Sequence, residues 1–414
     1  MKKRILVISQ CFFPEQFRIN DISEQWVKRG YDVTVVTAIP NYPQGKFYDG
    51  YGLNKKRTEN YRGMKIIRLP IIPRGNNVIM LCLNYLSFVV SGFFWSKFTK
   101  LDVDYVFNFE TSPITQSLLG VWYSKRKKKP FYLYIQDLWP ENVESVAGVK
   151  NKFILNLIGK MVDYIYSNST KIFATSESMV KAIQSRNVDE SKLKYWPQYA
   201  ENFYEPVDKE EVDKEIKDKI TSVGQNGKDN FNLIFTGNIG YAQGLEILPK
   251  VASILKKEDL PKNVVFNIIG DGRFKANLID IVKELDVESM FNFIERQPAQ
   301  KIPEYMALSD VAVLTLQDNK VFSMTIPAKL QSYIACAVPI IASAQGETKK
   351  IIEESNCGIC VNTGDEVAFS DAVRQMILFD KEKLEKLGNN GYEYSKQNFD
   401  RDVLLDEMDL YFNE

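Results

Sequence analysis

No histidine occurs among the 414 residues of this chain. Its absence excludes an imidazole base, a Ser-His-Asp triad and every metal site that needs a histidine ligand. Cysteine is scarce as well, with five in the chain. Cys357 and Cys360 form a C-x-x-C pair, but the sequence has no second such pair to complete a zinc site. We therefore expect reduced thiols in a cytosolic setting, no structural zinc, and catalysis without imidazole.

Net charge is also absent, but the two halves of the chain differ strongly. Residues 1–200 carry 29 Lys and Arg against 16 Asp and Glu, and residues 201–414 carry 24 against 37, so their formal charges are +13 and −13. A basic first half indicates an anionic partner for that half alone. Because no nucleic-acid-binding motif accompanies the charge, an anionic membrane surface is the better candidate.

One long stretch lacks charge entirely, residues 78–96. Its length fits a membrane-spanning helix, but strands resume near Tyr105, which favours a buried or interfacial helix instead. The Lys-Arg-Lys-Lys-Lys run at 125–129 suits either anionic lipid headgroups or a solvated loop before a strand at Phe131. No signal peptide precedes the first strand near Arg4, so we expect a cytoplasmic protein peripherally bound to the inner face of the cytoplasmic membrane.

The length favours two domains, and strand-like runs alternating with helical patterns predict parallel sheets. The predicted strands are 5–9, 33–37, 65–69, 105–107, 131–135 and 172–174 in the first half, and 233–235, 264–269, 291–294, 311–314, 339–342 and 358–361 in the second. A segment dense in charge, 208–229, indicates the boundary between them. We predict a first domain at 1–205, a second domain at 206–384, and a closing helix at 385–414 that packs back on the first domain.

The most informative stretch runs from Phe235 to Glu246. An apolar run ends in Gly237 and Gly240, and a helical pattern then begins around Leu245. Glycines between a strand and a helix allow backbone N–H groups to approach an anion, and the helix N-terminus adds partial positive charge. This turn predicts a phosphate-binding site in the second half.

Polar residues follow nearly every predicted strand, where open parallel sheets bind ligands. These segments are 13–21, 39–45, 110–113, 136–141 and 175–177 in the first half, and 237–244, 270–273, 296–298 and 327–330 in the second. Two sheets with such edges predict a cleft.

The glycine turn, Gly270-Asp-Gly and the run Pro-Ala-Lys-Leu-Gln-Ser-Tyr-Ile-Ala-Cys-Ala-Val-Pro-Ile-Ile from Pro327 together resemble the retaining GT-B glycosyltransferases of family 4. The segments Pro-Glu-Gln-Phe-Arg-Ile-Asn-Asp (14–21), Pro-Asn-Tyr-Pro-Gln-Gly (40–45) and Gln-Asp-Leu-Trp-Pro-Glu (136–141) resemble a subset that builds O-antigen and capsule, often described as N-acetylfucosamine transferases. The resemblance covers nearly the whole chain. It implies an α/β fold of two Rossmann-like parallel-sheet domains that face a central cleft, with the donor nucleotide held mainly by the second.

The resemblance also implies the site residues. The catalytic candidates are Asp137 on the acceptor side, with Arg18 and Lys329 stabilising the leaving diphosphate. The donor contacts would come from Gly237, Asn238, Gly240, Gln243, Gly270, Arg273, Arg296, Gln297, Pro298 and Ser332, and the acceptor side from Asn20, Asn41, Glu110, Glu141 and Glu177. No metal is required, and the pair Asp102 and Asp104 merely precedes a strand.

Purely structural interpretations of these residues also stay open. Lys329 also fits a solvated helix lysine, Asp137 a helix N-cap, Gly270 and Gly272 a simple turn, and 296–298 an ordinary loop.

The chain departs from the family pattern at several positions. Asn238 and Gln243 stand where many members have arginine and lysine, and Met324 and Ser332 replace the paired glutamates. In addition, Gln136 occupies the place of a frequent histidine, and Phe17-Arg18-Ile19 replaces a Gly-Gly turn. These changes leave the contacts to the donor sugar open.

We therefore expect a retaining glycosyltransferase that moves an N-acetylated sugar, with 6-deoxy fucosamine-type sugars as one case, from UDP to a polyprenyl-diphosphate-linked glycan. It would need no cofactor and no metal, and it would bind no nucleic acid. One alternative is a sugar-nucleotide epimerase on the same scaffold, although such epimerases rely on histidine. The other is a non-catalytic sugar-nucleotide-binding scaffold, which the missing glutamates favour.

Overall fold

The computed structural model describes residues 2–145, 148–221 and 228–412. It divides into two compact units, one reaching to Trp196 and including the C-terminal segment from Glu407, the other Pro197–Asp406. Each is a Rossmann-like α/β unit with its own parallel sheet, as predicted.

The first unit contains an eight-stranded sheet with the order β3-β4-β2-β1-β5-β6-β7-β8. Neighbouring strands are parallel except for the antiparallel pair β3–β4. The strands are β1 Arg4–Ile8, β2 Asp32–Ala38, β3 Thr58–Tyr61, β4 Met64–Leu69, β5 Tyr105–Glu110, β6 Phe131–Ile135, β7 Lys171–Ala174 and β8 Leu193–Tyr195. The edge strands β3 and β8 are absent from the predicted set. The four mostly polar residues of β3 and the three mixed residues of β8 contain no apolar run of the kind that predicts a strand.

Its helices are α1 Arg18–Lys28, α2 Val78–Phe98, α3 Ser117–Lys127, α4 Glu141–Ser145, α5 Lys152–Ser167 and α6 Glu177–Gln184. Helix α1 buries Ile19, Ile22 and Trp26, the face that the helical spacing predicts. Helices α2 and α5 both contact α3.

The second unit contains a six-stranded, fully parallel sheet with the order β11-β10-β9-β12-β13-β14. Its strands are β9 Asn230–Asn238, β10 Asn263–Asp271, β11 Phe291–Ile294, β12 Val311–Thr315, β13 Ile340–Ser343 and β14 Gly358–Val361. Its helices are α7 Lys214–Thr221, α8 Ile247–Leu255, α9 Lys275–Glu284, α10 Ile302–Ala307, α11 Lys320–Ser323, α12 Ala328–Ala335, α13 Glu347–Ser355, α14 Glu366–Ile377, α15 Lys381–Asn398 and α16 Arg401–Tyr411, the last of which runs into the first unit.

The described part of the charged segment 208–229 folds as part of the second unit. Its helix α7 buries Ile216 and Ile220, four residues apart, in the core of the second unit. The segment 385–414 is likewise more than one closing helix, since α15 belongs to the second unit and the chain returns to the first from Glu407. There Phe412 packs against the rings of Trp26 and Tyr105. Residues 222–227 and 413–414 of these ranges lie outside the described residues.

Both sheets reverse their strand order beside their first strand. Strand β1 lies between β2 and β5, and β9 lies between β10 and β12. In open α/β sheets the crevice at such a switch point, outside the carboxyl ends of the strands, is where ligands bind. Candidate sites are therefore expected at these two places.

Within the described ranges, α2 is the helix with the length and apolar composition of a membrane span. It has 21 residues, and only 17% of its most apolar 18-residue window is buried. The run 78–96 is therefore not a core helix, because most of its apolar surface faces outward.

Candidate functional site

The glycine turn of the second unit lies at the switch point of its sheet. Gly237 has φ 127°, a backbone conformation that favours glycine. A Cβ on its β10 partner Gly270 would lie 1.9 Å from the Gly237 carbonyl oxygen, and one on Gly272 would lie 2.2 Å from that of Ile239. Close packing of the turn thus accounts for Gly270 and Gly272 without any ligand contact.

The turn is held against the end of β12. A short 3₁₀ turn at Tyr241–Gln243 intervenes before α8 begins at Ile247, later than the pattern predicts. The N–H of Gln317 donates to the Ala242 carbonyl (3.1 Å), and the Thr315 hydroxyl donates to the Gln243 carbonyl. These bonds fix the turn while Gly237 and Asn238 stay exposed to solvent.

Lys329 points toward this turn from the first turn of α12, a helix without a side-chain N-cap. Its ammonium donates to Oε1 of Gln243 and lies 4.8 Å from the centre of the Phe235 ring. In the part of the chain that the structure describes, no carboxylate pairs with this ammonium. Burial lowers the pKa of Lys329 to about 7. These contacts do not fit a solvated helix lysine, because such a side chain would extend into water with an unshifted pKa.

The other predicted donor contacts are spread along the carboxyl edge of the same sheet. Arg273 and Arg296 are exposed, and the Gln297 amide donates to the Glu295 carbonyl (2.9 Å) ahead of Pro298. The buried Ser332 donates its hydroxyl proton to the Ala328 carbonyl (3.0 Å) within its own helix. The structure thus brings together Gly237, Asn238, Gly240, Gln243 and Lys329, with Gly270 packed against Gly237.

Sequence reasoning missed Tyr333, which supports the glycine turn from below. Its hydroxyl accepts the N–H of Thr236 (3.0 Å) and is fully buried. Its position four residues after Lys329 places both side chains on one face of α12, and that spacing is the signal that could have identified it.

In the first unit, two carboxyl groups meet on neighbouring strands. Glu110 ends β5, and Asp137 follows β6 by two residues. The N–H of Asp137 donates to Oε2 of Glu110 (3.4 Å), and the N–H of Ser112 donates to Oδ2 of Asp137 (2.8 Å). Glu110 is fully buried, so it lies beneath Asp137 and out of reach of an acceptor.

The two carboxyl groups lie in different environments. Burial, together with the charge of Asp137, raises the pKa of Glu110 well above its ordinary value. Asp137 is only half-buried and remains at the surface of the carboxyl edge. It does not cap a helix, because α4 begins four residues later at Glu141. The pair therefore presents the Asp137 carboxyl at the surface, above a buried carboxyl whose neutral form is favoured.

The loops around this edge are organised by Glu15, which sequence reasoning did not select. Its buried carboxylate accepts the N–H groups of Phe12 (3.2 Å), Asn41 (2.8 Å) and Tyr42 (2.7 Å). Asn41 is buried too, and its Oδ1 accepts the N–H of Arg74 (2.9 Å). Asn41 therefore positions a loop, and its amide is not displayed to an acceptor.

The remaining predicted residues of the first unit lie at helix starts along the same edge. Arg18 begins α1, Glu141 begins α4, and the exposed Glu177 begins α6. The Asn20 amide donates to the Glu15 carbonyl (2.7 Å).

No cluster of three metal-ligating side chains occurs in the described ranges. Asp102 and Asp104 instead pair with the Arg4 guanidinium at 2.9 and 3.1 Å, at the amino edge of the sheet. The two aspartates therefore form ion pairs with Arg4 just before β5.

Two family descriptions match the chain, one for each unit. Glycosyltransferase Family 4 matches residues 17–198, and Glycosyl transferases group 1 matches residues 216–394. WcaI of Escherichia coli K12, a protein named as a colanic acid biosynthesis glycosyl transferase, is 24% identical over 97% of this chain and 98% of its own length.

Solved structures have the same fold. Sucrose-phosphate synthase from Thermosynechococcus elongatus has a TM-score of 0.75 at 16% identity and covers 100% of this chain and 98% of its own. HepE from Anabaena, solved with UDP and glucose, has a TM-score of 0.69 at 14% identity and covers 99% of both chains. WaaG, described as involved in lipopolysaccharide biosynthesis, has a TM-score of 0.65 at 14% identity and covers 98% of both chains.

Proposed function

This chain is a GT-B glycosyltransferase with a family 4 domain followed by a group 1 domain, and we propose that it extends a lipid-linked glycan during surface polysaccharide synthesis. The donor is a UDP-activated N-acetylated sugar, with 6-deoxy fucosamine-type sugars as one case, and the acceptor is a polyprenyl-diphosphate-linked glycan. The transfer retains the anomeric configuration and needs no metal. WcaI and WaaG, both named for cell-envelope polysaccharides, support the pathway class.

The Lys329 ammonium, aimed at an open glycine turn with no carboxylate partner in the described part of the chain, is the observation that carries this proposal. A desolvated cation beside exposed backbone amides needs an anion to balance it, and a diphosphate supplies two. The UDP in HepE supports a uridine nucleotide as the ligand. The turn and Lys329 then stabilise the negative charge that develops when the sugar–phosphate bond breaks.

On the acceptor side, Asp137 is placed to receive the proton of the attacking hydroxyl. The hydroxyl oxygen forms a bond to the anomeric carbon, the bond from that carbon to the UDP oxygen breaks, and UDP leaves with the electron pair. The Ser112 N–H orients the carboxylate, and burial favours the neutral form of Glu110 beneath it. Asp137 is thus the proposed base and Glu110 its positioning residue.

The proposed membrane contact is supported by the unusual burial of α2. Its buried residues are Asn84, Phe88, Gly92 and Ser96, a stripe of mostly small or polar side chains. The apolar residues face outward instead, with exposed fractions of 58% for Leu86 and 56% for Phe94. A soluble protein buries the opposite face of such a helix, so this arrangement suits a lipid environment.

Helices α3 and α5 extend this surface. Phe153 and Leu157 of α5 are 77% and 61% exposed, and Lys125 at the end of α3 lies over the ring of Tyr164 in α5. The basic run 125–129 lies at the amino edge of the sheet, by the C-terminal end of α2, where Arg126 donates to the carbonyls of Lys97 and Thr99. We propose that this helix layer rests on an anionic bilayer at the inner face of the cytoplasmic membrane.

We expect two kinds of substitution to weaken this contact differently. The pair Leu86→Glu and Phe94→Glu should reduce binding to liposomes at every salt concentration, because it places charge in the apolar contact. The pair Lys125→Glu and Lys128→Glu should reduce binding to vesicles containing anionic lipid at low salt, with the difference shrinking as salt screens the attraction. Cosedimentation with neutral and anionic vesicles measures both effects.

Lys250→Glu with Lys257→Glu provides the matched control, since it makes the same charge change at exposed sites of the second unit. It should leave cosedimentation near that of the unaltered chain. Unchanged partitioning of both first-unit variants across the salt series would refute the proposed surface.

The activity itself is tested by nucleotide release from a panel of UDP-, GDP- and dTDP-sugars, with and without a polyprenyl-diphosphate-linked sugar. We expect release of UDP that requires the lipid acceptor, and an α-linked product from an α-linked donor. The reaction is run with and without EDTA, and equal rates are expected. If no nucleotide is released from any sugar nucleotide of the panel although nucleotide binds, the proposed transfer is contradicted and a sugar-nucleotide-binding scaffold is favoured.

A further inference from the structure

The loop between β4 and α2 connects the apolar helix to the carboxyl edge of the first sheet. Its Arg74 N–H donates to Oδ1 of Asn41, and its Gly75 N–H donates to the Gly45 carbonyl (2.9 Å). A Cβ on Gly45 would lie 2.6 Å from the Gly75 carbonyl oxygen, so the two loops are in close contact. The position of Arg74 is therefore determined by its backbone and not only by its side chain.

A buried amide on α2 ties the helix to the same loops. Asn84 donates from Nδ2 to the Ile72 carbonyl (2.7 Å), and its Oδ1 accepts from Nε2 of Gln10 (2.9 Å) at the end of β1. The start of α2 is thus fixed against the carboxyl edge of the sheet at its switch point. A molecule lying along α2 would have one end at this edge.

Among the described residues, the guanidinium of Arg74 has no ion pair and no side-chain hydrogen bond. Its Cζ lies over the ring of Tyr42, 5.2 Å from the ring centre. The nearby carboxylate of Glu15 is already bound by three backbone N–H groups. A half-buried arginine that stacks on an aromatic ring keeps its five donors available for an anion.

Two features next to Arg74 indicate which kind of molecule would carry such an anion. On one side, Val78 and Ile79 open the apolar face of α2 and are 74% and 73% exposed. On the other, burial raises the pKa of the Tyr85 hydroxyl, which the charge of Arg74 lowers and that of Asp137 raises. Arg74 therefore lies beside the proposed lipid contact and at the same carboxyl edge of the sheet as the proposed acceptor base.

We infer that Arg74 binds the diphosphate of a polyprenyl-diphosphate-linked acceptor, whose prenyl chain lies along the exposed face of α2 from Ile79 onward. This inference rests on the proposed function. A planar guanidinium binds diphosphate oxygens through paired hydrogen bonds, and a neutral sugar would give no reason for an uncompensated arginine here. Arg74 would place the glycan end of the acceptor toward Asp137, so it determines specificity for a charged lipid anchor.

Binding of farnesyl diphosphate to the full chain, measured calorimetrically in saturating UDP, tests this assignment. Arg74→Gln should weaken that binding roughly 10- to 100-fold, and Arg74→Lys should restore part of it. Binding of farnesol should be unchanged by either substitution, and inorganic pyrophosphate should bind more weakly than farnesyl diphosphate. Arg62→Gln is the matched control, because Arg62 is an exposed arginine of the same unit that pairs with Glu24.

Equal losses for farnesyl diphosphate and farnesol would overturn the inference, because they would show a general disturbance of the loop. Pyrophosphate binding as tight as that of farnesyl diphosphate would overturn the lipid-linked ligand and indicate a free anion. In turnover, Arg74→Gln should raise KM for the lipid acceptor with an unchanged KM for the UDP-sugar. The binding measurement does not depend on sugar transfer. A failure to release nucleotide from the sugar-nucleotide panel would therefore count against the proposed function and not against binding of the diphosphate by Arg74.

Discussion

Asp137→Asn is expected to lower kcat roughly 10²- to 10⁴-fold, the range that a positioned general base contributes. The amide cannot accept the proton of the acceptor hydroxyl, but its oxygen can still accept the Ser112 N–H that orients the carboxylate. The fold and the second unit should therefore be unaffected, and affinity for UDP should stay near its original value. Steady-state transfer to the lipid acceptor, with UDP binding measured separately, distinguishes these effects.

The matched control is Glu144→Gln, an exposed carboxyl of α4 converted to an amide in the same unit. It should retain full turnover. Retained turnover in Asp137→Asn would remove this residue from the mechanism, and a parallel loss of UDP affinity would point to a wider structural change.

Lys329→Gln is expected to reduce kcat/KM roughly 10²- to 10³-fold, because it removes the positive charge nearest the glycine turn. The main-chain carbonyls of Ala242 and Gln243 accept bonds from Gln317 and Thr315 at the end of β12, so the turn should keep its conformation. Lys329→Arg should recover part of the loss by supplying charge in a larger side chain. Lys283→Gln, at an exposed site on α9, should behave like the unaltered chain.

The same lysine should make donor affinity depend on pH. Its pKa in the empty site is about 7, so it is protonated below that pH and largely neutral above it. A diphosphate needs the charged form, and binding above pH 7 must therefore take up a proton. Affinity for a UDP-sugar should be highest below about pH 7 and fall by up to about tenfold per pH unit above it.

A UDP-sugar is the suitable ligand for this measurement, because free UDP carries a terminal phosphate that itself titrates near about pH 6. Lys329→Gln and Lys329→Arg should both give flat profiles from about pH 6.5 to 8.5, since neither side chain titrates there. A pH-independent affinity in the unaltered chain would show that the ammonium does not contact the diphosphate.

The carboxyl-edge sites illustrate how far local sequence reasoning extends. Gly237 and Lys329 belong to patterns of a few neighbouring residues, and the structure brings them together. Asn84 and Arg74 carry no such pattern, and the segment 14–21 gives no local sign of the role of Glu15. Bonds that span 12 to 74 residues of chain show these roles, such as Asn84–Ile72, Glu15–Tyr42 and Gln10–Asn84. Such pairings depend on which loops the sheet order brings side by side.

Asn41 and Ser332 show the reverse difficulty. Both are polar residues at the predicted strand ends or helix faces, and both are buried with their side chains bound internally. Residue type and position near an edge predict proximity to a site, but the direction of a side chain follows from packing.

The sequence by itself determined the two α/β units, the glycine turn, the opposite charges of the two halves and the absence of imidazole. Each of these follows from composition or from short-range periodicity, which the backbone geometry of strands and helices imposes locally. Only the tertiary structure decided that α2 turns its apolar side outward, that Glu110 lies buried beneath Asp137, and that Arg74 lacks a counter-charge in the described chain. These properties depend on burial and on long-range contacts, because solvation and pairing are set by what the folded chain places around each group.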